Sequence, residues 1–278
     1  MKKTVLSIVM VAFVVSLAYS ITGYDVMKNA DARYKGDDGV SKIKMVISNS
    51  KQQTRNREIV LWSKKVDKVK DLTNTFIYFI QPADVKDTTF LVQEQGGSID
   101  DNQWIFLPAT RKVRKISSSE KDKSFMGTDL SYDDMSDRVL DEYTYELVKE
   151  SEMVNGQDCY VVKSVKKKDA VYASSVAWIN KSNWCIVKAY MYDKKNPSKI
   201  QKVLMVSDLK QIQNIWTPGK TVMYTMKPSF TDGADLEKNF ESKTILTLSS
   251  VKYNIGLDNS LFTQGNMERP KPYTQYIQ

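Results

Sequence analysis

From residue 42 onward the chain alternates: Ile43, Met45 and Ile47 take every second place among Lys42, Lys44 and Val46, and Ile59 and Leu61 repeat the spacing in the next segment. A period of two sends successive side chains to opposite faces of a pleated strand, so these runs predict strands with a preferred apolar face. Further runs of the same kind are Phe76 to Ile80, Thr89 to Glu94, Gln103 to Leu107, Lys112 to Ile116 and Tyr145 to Met153. The second half continues with Cys159 to Val165, Ser174 to Ile179, Trp184 to Tyr192, Ile200 to Leu209, Thr221 to Met226 and Lys243 to Tyr253. Short polar turns separate most of them, and Asn155-Gly156 and Asn180 to Asn183 read as hairpin connections. The pattern is a long antiparallel meander in a mainly β chain with a little helix.

Three stretches break the alternation. Near the start, Thr22 caps a segment that sets Val26, Met27, Ala30 and Tyr34 on one helical face, and Gly36 and Gly39 end it. Residues Ser117 to Gly127 are polar until Phe125 and Met126, and Ser131 and Asp134 then stand at capping-box spacing ahead of Met135, Val139 and Leu140. That order predicts a loop followed by a short helix. Lys227 to Phe240 reads as a long loop between strands, and no repeat of fixed period is present.

The first residues change the setting. Lys2 and Lys3, an apolar run from Val5 to Leu17, and then Ala18, Tyr19 and Ser20 follow the order of a secretory signal peptide. The run is about 13 residues, short of the roughly 20 that span a bilayer as a helix. Residues 1–20 are therefore expected to be a signal peptide cleaved after Ser20, leaving 21–278 as one domain in the periplasm. Loss of Lys2 and Lys3 lowers the formal net charge of +8 by two. The remaining basic residues are interleaved with Asp and Glu, a solvated surface rather than a nucleic-acid groove, though transient contact with a membrane surface fits the sign of the charge.

Export permits Cys159 and Cys185 to pair, but a third strand separates them in the meander, which places them about 9 to 10 Å apart, beyond disulfide reach. Buried free thiols are the expectation. The chain has no histidine, which removes the commonest general base, the usual Ser-His and Cys-His pairs and the most frequent zinc ligand. No phosphate-binding loop, dinucleotide fingerprint or nucleophile elbow is present, so the reading is non-enzymatic, without cofactor or metal. The acidic group Asp129, Asp133, Asp134, Asp137, Asp141 and Glu142 fits no calcium loop and reads as a solvated helix start. Arg111, Lys112, Arg114 and Lys115 read as an exposed strand face that could also meet phosphate groups. What stands out is 12 Met, 15 Tyr, 5 Trp and 9 Phe, side chains that fill a core and equally suit an adaptable wall for an alkyl chain.

The segments Trp104-Ile105-Phe106-Leu107-Pro108-Ala109-Thr110-Arg111-Lys112-Val113-Arg114-Lys115-Ile116 and Ser124-Phe125-Met126-Gly127-Thr128-Asp129-Leu130-Ser131-Tyr132-Asp133-Asp134-Met135 resemble the outer-membrane lipoprotein-sorting proteins related to LolA and LolB. Thr22-Gly23-Tyr24-Asp25, Leu261-Phe262-Thr263 and Asn266-Met267-Glu268-Arg269-Pro270 are similar too. The resemblance implies an unclosed antiparallel barrel of about 11 strands with helices over its concave face. It also implies a lipid or lipoprotein acyl chain as cargo, handed toward the outer membrane, with an inner-membrane transporter and an outer-membrane acceptor as partners. The Phe-Met-Gly segment and the longer C-terminal half depart from LolA itself. On this reading the cavity wall is Ile43, Met45, Ile59, Leu61, Phe76, Tyr78, Trp104, Phe106, Trp178, Met191, Met205 and Tyr224, and the lid is Phe125, Met126 and Met135. Two rivals are a periplasmic sensor or protein-interaction module on the same half-barrel, and a hydrolase working through Asp133 and Asp134.

Overall fold

The computed structural model describes residues 20–97 and 99–268. The segment read as a signal peptide, up to Tyr19, and the Arg269-Pro270 end of the last motif lie outside the described residues. The first half of the chain forms β1 (Asp38–Asn49), β2 (Thr54–Asp67), β3 (Leu72–Gln81), β4 (Thr89–Gln93), β5 (Asn102–Leu107) and β6 (Lys112–Lys115). The second forms β7 (Tyr143–Val154), β8 (Gln157–Lys166), β9 (Ser174–Asn180), β10 (Ile186–Tyr192), β11 (Ile200–Ser207), β12 (Lys210–Ile212), β13 (Ile215–Thr217), β14 (Lys220–Met226) and β15 (Phe240–Tyr253). Thirteen strands make one antiparallel sheet in the order β6-β5-β4-β3-β2-β1-β15-β14-β11-β10-β9-β8-β7, and β12 pairs with β13 as a separate hairpin. The open antiparallel sheet is the one the resemblance implies, with 13 strands where about 11 were expected; Lys112 to Ile116 and Tyr145 to Met153, both read as strands from their alternation, form its two edges, β6 and β7.

The topology explains the shape. The chain enters at the middle in β1, steps outward to the β6 edge, crosses to the opposite edge at β7, and works back until β15 pairs with β1. β6 and β7 do not pair, so the sheet is an open half-barrel. Its edges are blunted: β6 reads Lys-Val-Arg-Lys, and β7 carries register shifts between Leu147 and Glu152 that disrupt its ladder. The Asn155-Gly156 hairpin has φ of 48° and 78°, the left-handed pair a two-residue turn requires.

Both faces of the sheet are covered. On the face termed inner, helix α1 (Gly23–Asp31) packs Val26 and Met27 on Val162, Ile179 and Ala189, and residues 116–142 form a strap from the β6 edge to the β7 edge. On the outer face, residues 254–267, ending in α3 (Gln264–Met267), cover the row Val40-Trp62-Phe76-Leu91-Trp104 across β1 to β5. The loop after β14, with α2 (Leu236–Asn239), lays Phe230 and Leu236 over Trp178 and Tyr224.

Local chemistry accounts for these elements. Thr22 and Asp25 form a reciprocal capping box at α1. The helix ends at Asp31, earlier than Gly36, so Tyr34 lies beyond it and is 52% exposed. The strap contains no α-helix, only single 3-10 turns at 118–120, 133–135 and 140–142. Its path is held instead by bonds to the sheet: Asp129 to Thr225 and Thr244, Asp134 to Lys202 and Arg138 to Ser175. Cys159 and Cys185 are both buried free thiols, as expected, although Cys185 sits in the β9–β10 connection rather than in a strand.

Candidate functional site: a cavity between strap and sheet

The inner face changes character along its strands. One cross-strand row runs Val162, Ala177, Ala189, Leu204, Met223 and ends at Thr244 on β15. The next runs Ser164, Ser175, Met191, Lys202, Thr225 and Ser242. The first is apolar and the second largely polar, and the strap follows the second. Asp129 reaches the near end of it: its carboxylate accepts hydrogen bonds from Thr225 Oγ1 (2.6 Å), Thr244 Oγ1 (2.7 Å) and Ser242 Oγ, and its N–H donates to Thr244 Oγ1 (2.9 Å). Asp134 accepts from the Ser131 N–H (2.7 Å) and the Tyr172 hydroxyl (2.9 Å) and lies 3.5 Å from Lys202 Nζ. Arg138 donates to Ser175 Oγ at 3.2 Å, and Lys166 lies 3.9 Å from Asp133 and 3.7 Å from Glu142.

Between strap and floor is a cavity of about 280 Å³. Ala177, Ala189, Met191, Leu204 and Met223 form its apolar floor, and Leu130 and Val139 descend from the strap. Two alanines opposite one another on adjacent strands create the space, because their methyl groups leave a hollow that larger neighbours on either side do not fill. The rim is charged. Burial lifts the Asp133 carboxyl above the usual range, while Lys166, in spite of its own desolvation, is held above the ordinary lysine value by Asp133, Tyr143 and Glu142. Desolvation and then Asp134 push the Tyr172 phenol up, so it stays a hydrogen-bond donor. A second, more polar cavity of about 490 Å³ lies beside the first and shares Asp101, Asp137, Arg138 and Val139 with it. In it burial, reinforced by Asp137, pushes Glu94 up to about 8.

The residues expected from the sequence are divided between the faces. Met191 is in the cavity floor. Ile43, Met45, Ile59 and Leu61 share the inner face, but in the half of the sheet that the strap fills. Phe76, Tyr78, Trp104 and Phe106 point to the outer face under residues 254–267, and Trp178, Met205 and Tyr224 to the outer face under the β14–β15 loop. A sheet covered on both sides is apolar on both sides, so large side chains mark either face equally well. Among the lid residues, Phe125 is 1% exposed, with its ring centroid 4.9 Å from Phe90 and 5.8 Å from Tyr132. Met126 offers its carbonyl to Arg57 Nη1 at 2.6 Å, and Met135 packs on the same cluster. None of the three lines the cavity; they anchor the strap. The signal that marks the true floor is small residues at alternate positions, Ser175 and Ala177 on β9 and Ala189 on β10.

Burial raises the Cys159 thiol to about 11, and it raises Cys185 as well. Asp133 and Asp134 are each within reach of a lysine and serve as strap anchors. Among the described residues no group of three or more His, Cys, Asp or Glu side chains is placed to hold a metal ion, and no helix is long and apolar enough to cross a membrane.

A family model described only as uncharacterized-protein-like matches residues 71–269. No curated protein matches the chain. Among solved structures, a DUF1329 family protein from Desulfovibrio piger is 31% identical, with a TM-score of 0.79 over 88% of this chain and 97% of its own. A domain described as an outer membrane lipoprotein-sorting protein, from Vibrio parahaemolyticus, is 26% identical, with a TM-score of 0.77 over 89% and 98%. A LolA superfamily protein from Nitrosomonas europaea, at 16% identity and a TM-score of 0.64 over 88% and 99%, shares the fold. The chain therefore belongs to the DUF1329 family and has the open half-barrel fold of LolA-like lipoprotein-sorting proteins.

Proposed function

We propose that this chain is an exported carrier that works in the periplasm, taking a lipid or lipoprotein acyl chain from a donor at the inner membrane and passing it toward the outer membrane. The observation that carries the reading is the cavity on the inner face of the C-terminal half, with Ala177, Ala189, Leu204 and Met223 beneath the strap. A floor without hydrogen-bonding groups selects for alkyl surface and against none of its lengths. Burial of methylene groups contributes about 0.8 kcal/mol each, so ten of them supply about 8 kcal/mol before ordering costs. That holds a chain in water yet lets it leave for an acceptor offering equal burial. No covalent step is needed, and the absence of histidine is consistent with that.

The test uses full-length protein taken from its own envelope and extracted with organic solvent. Mass spectrometry should find lipid at a defined ratio to protein. Ala189→Phe, which fills the floor with a benzyl group, should remove that lipid while keeping the melting temperature at or above that of the wild type. Equal lipid in both proteins, or none in the wild type, would overturn the carrier reading.

A further inference from the structure

Resting on the carrier reading, we propose that the cavity binds the anionic head of a single-chain amphiphile, a carboxylate or phosphate, at Arg138, Ser164 and Ser175. Two independent observations converge there. The first is a guanidinium that makes no direct ion pair. The rim lysines are each committed: Lys121 to Asp100 at 2.6 Å, Lys166 to Asp133 and Glu142, and Lys202 to Asp134. Arg138 has no carboxylate within 4 Å among the described residues, although its charge favours the ionised form of the more distant Asp133. It donates only to the neutral hydroxyl of Ser175 and lies over the Tyr143 ring at 5.3 Å. A planar fork with five donors, half-buried and using one of them, is set up for bidentate recognition of an oxyanion.

The second observation is Ser164. It is 1% exposed, faces Ser175 across the β8–β9 ladder, lines the cavity, and its hydroxyl has no hydrogen-bond partner. A buried hydroxyl left unpaired costs about 1 to 3 kcal/mol, so such groups are normally satisfied. An oxygen held between Arg138 and the two serines would satisfy it. From that point the apolar row leads away through Ala177 and Ala189 to Leu204 and Met223, the order in which an amphiphile presents head and tail. The volume of about 280 Å³ lies just below the range of small-ligand pockets, about 300 to 1,000 Å³, which favours one alkyl chain over several.

Titration of delipidated full-length protein with palmitate and with methyl palmitate separates the head from the tail. The wild type should bind the acid about 10-fold or more tighter than the ester, the factor expected for one charge-assisted contact. Arg138→Gln should abolish that preference with ester affinity unchanged, Arg138→Lys should keep part of it, and Ser164→Ala should reduce it. A lysophosphatidic acid arm, run beside palmitate, assigns the head as phosphate or carboxylate by the tighter of the two. If acid and ester bind the wild type equally, or if Arg138→Gln leaves the preference intact, the head site is overturned while the carrier reading stands. If neither binds, both fall.

Discussion

At the scale of single residues, polar groups buried beneath the strap hold the inner face together. Asp129 is 5% exposed and accepts from hydroxyls on two strands. Asp129→Ala strands those donors, and the expected loss is about 3 kcal/mol in urea unfolding, since a charged hydrogen bond contributes about 1.5 to 3 kcal/mol and neighbouring losses are not additive. Phe125→Ser should cost about as much, 3 to 5 kcal/mol by the scale of core aromatic truncations, because its ring lies among Phe79, Phe90 and Tyr132. A change in lipid retention without loss of stability would restore it as a lid. Glu94 governs a pH dependence. Its carboxyl is pushed up to about 8 by burial and then by Asp137, above its ordinary 4.5, although the Thr73 N–H donates to it at 2.5 Å and Lys35 opposes the shift. The folded chain therefore keeps a proton that the unfolded chain loses, and stability falls as pH rises from about 4.5 to about 8. Glu94→Gln should match the wild type in melting temperature at pH 4.5 and exceed it at pH 8.5; parallel curves would reject the assignment. Residues of this kind were only half legible. Alternation showed which positions turn together, as with Ile43, Met45 and Ile59, but not which face holds the hollow, because Ala177 and Ala189 attract no notice beside Trp178 and Tyr190.

At the scale of elements, the helix start and the strands were readable and the strap was not. The Thr22 to Asp25 capping box and the β-runs obey local rules, so their residues declare them. Ser131 and Asp134 also make a capping box, with the Asp134 N–H donating to Ser131 Oγ at 3.1 Å, yet no α-helix follows, only isolated 3-10 turns at 133–135 and 140–142. Long-range demand overrode local propensity there, since the strap must bridge the sheet edges. The docking of α1 offers a contrary case that can be measured. Alanine is favoured over glycine inside helices by about 1 kcal/mol, which alone would make Gly23→Ala stabilising. A Cβ at Gly23, however, would stand 2.8 Å from the backbone of Glu146 and Leu147 on β7, and a strand backbone has little freedom to retreat. Gly23→Ala should therefore lower the melting temperature and speed amide exchange in α1. An increase in stability would show that α1 does not lie against β7 as described.

At the scale of the whole molecule, the sheet is one body with two unequal halves joined where β1 pairs with β15. The half from β1 to β5 is packed with apolar side chains on both faces, Phe125 and Tyr132 inside and Leu257, Leu261, Phe262 and Met267 outside, and the polar cavity beside Ser63, Lys65, Thr73 and Glu94 lies at the end of β2 to β4 away from Phe125. The half from β8 to β14 is filled outside by Phe230 and Phe240 but hollow inside, over Ala177 and Ala189. Such a division separates tasks: the packed half fixes the curvature and holds one end of the strap, while the hollow half can exchange contents without unfolding its neighbour. A ligand that enters only the hollow must stabilise the fold by mass action, about 2.7 kcal/mol at a hundred times its dissociation constant. For a chain of this size that is a rise in melting temperature of about 5 to 10 °C. Hydrogen exchange should place the added protection in β8 to β11, β14 and residues 130–143, with β2 to β5 unchanged. Protection spread evenly over both halves would mean that the alkyl chain threads the filled side as well, and the division of labour would have to be abandoned.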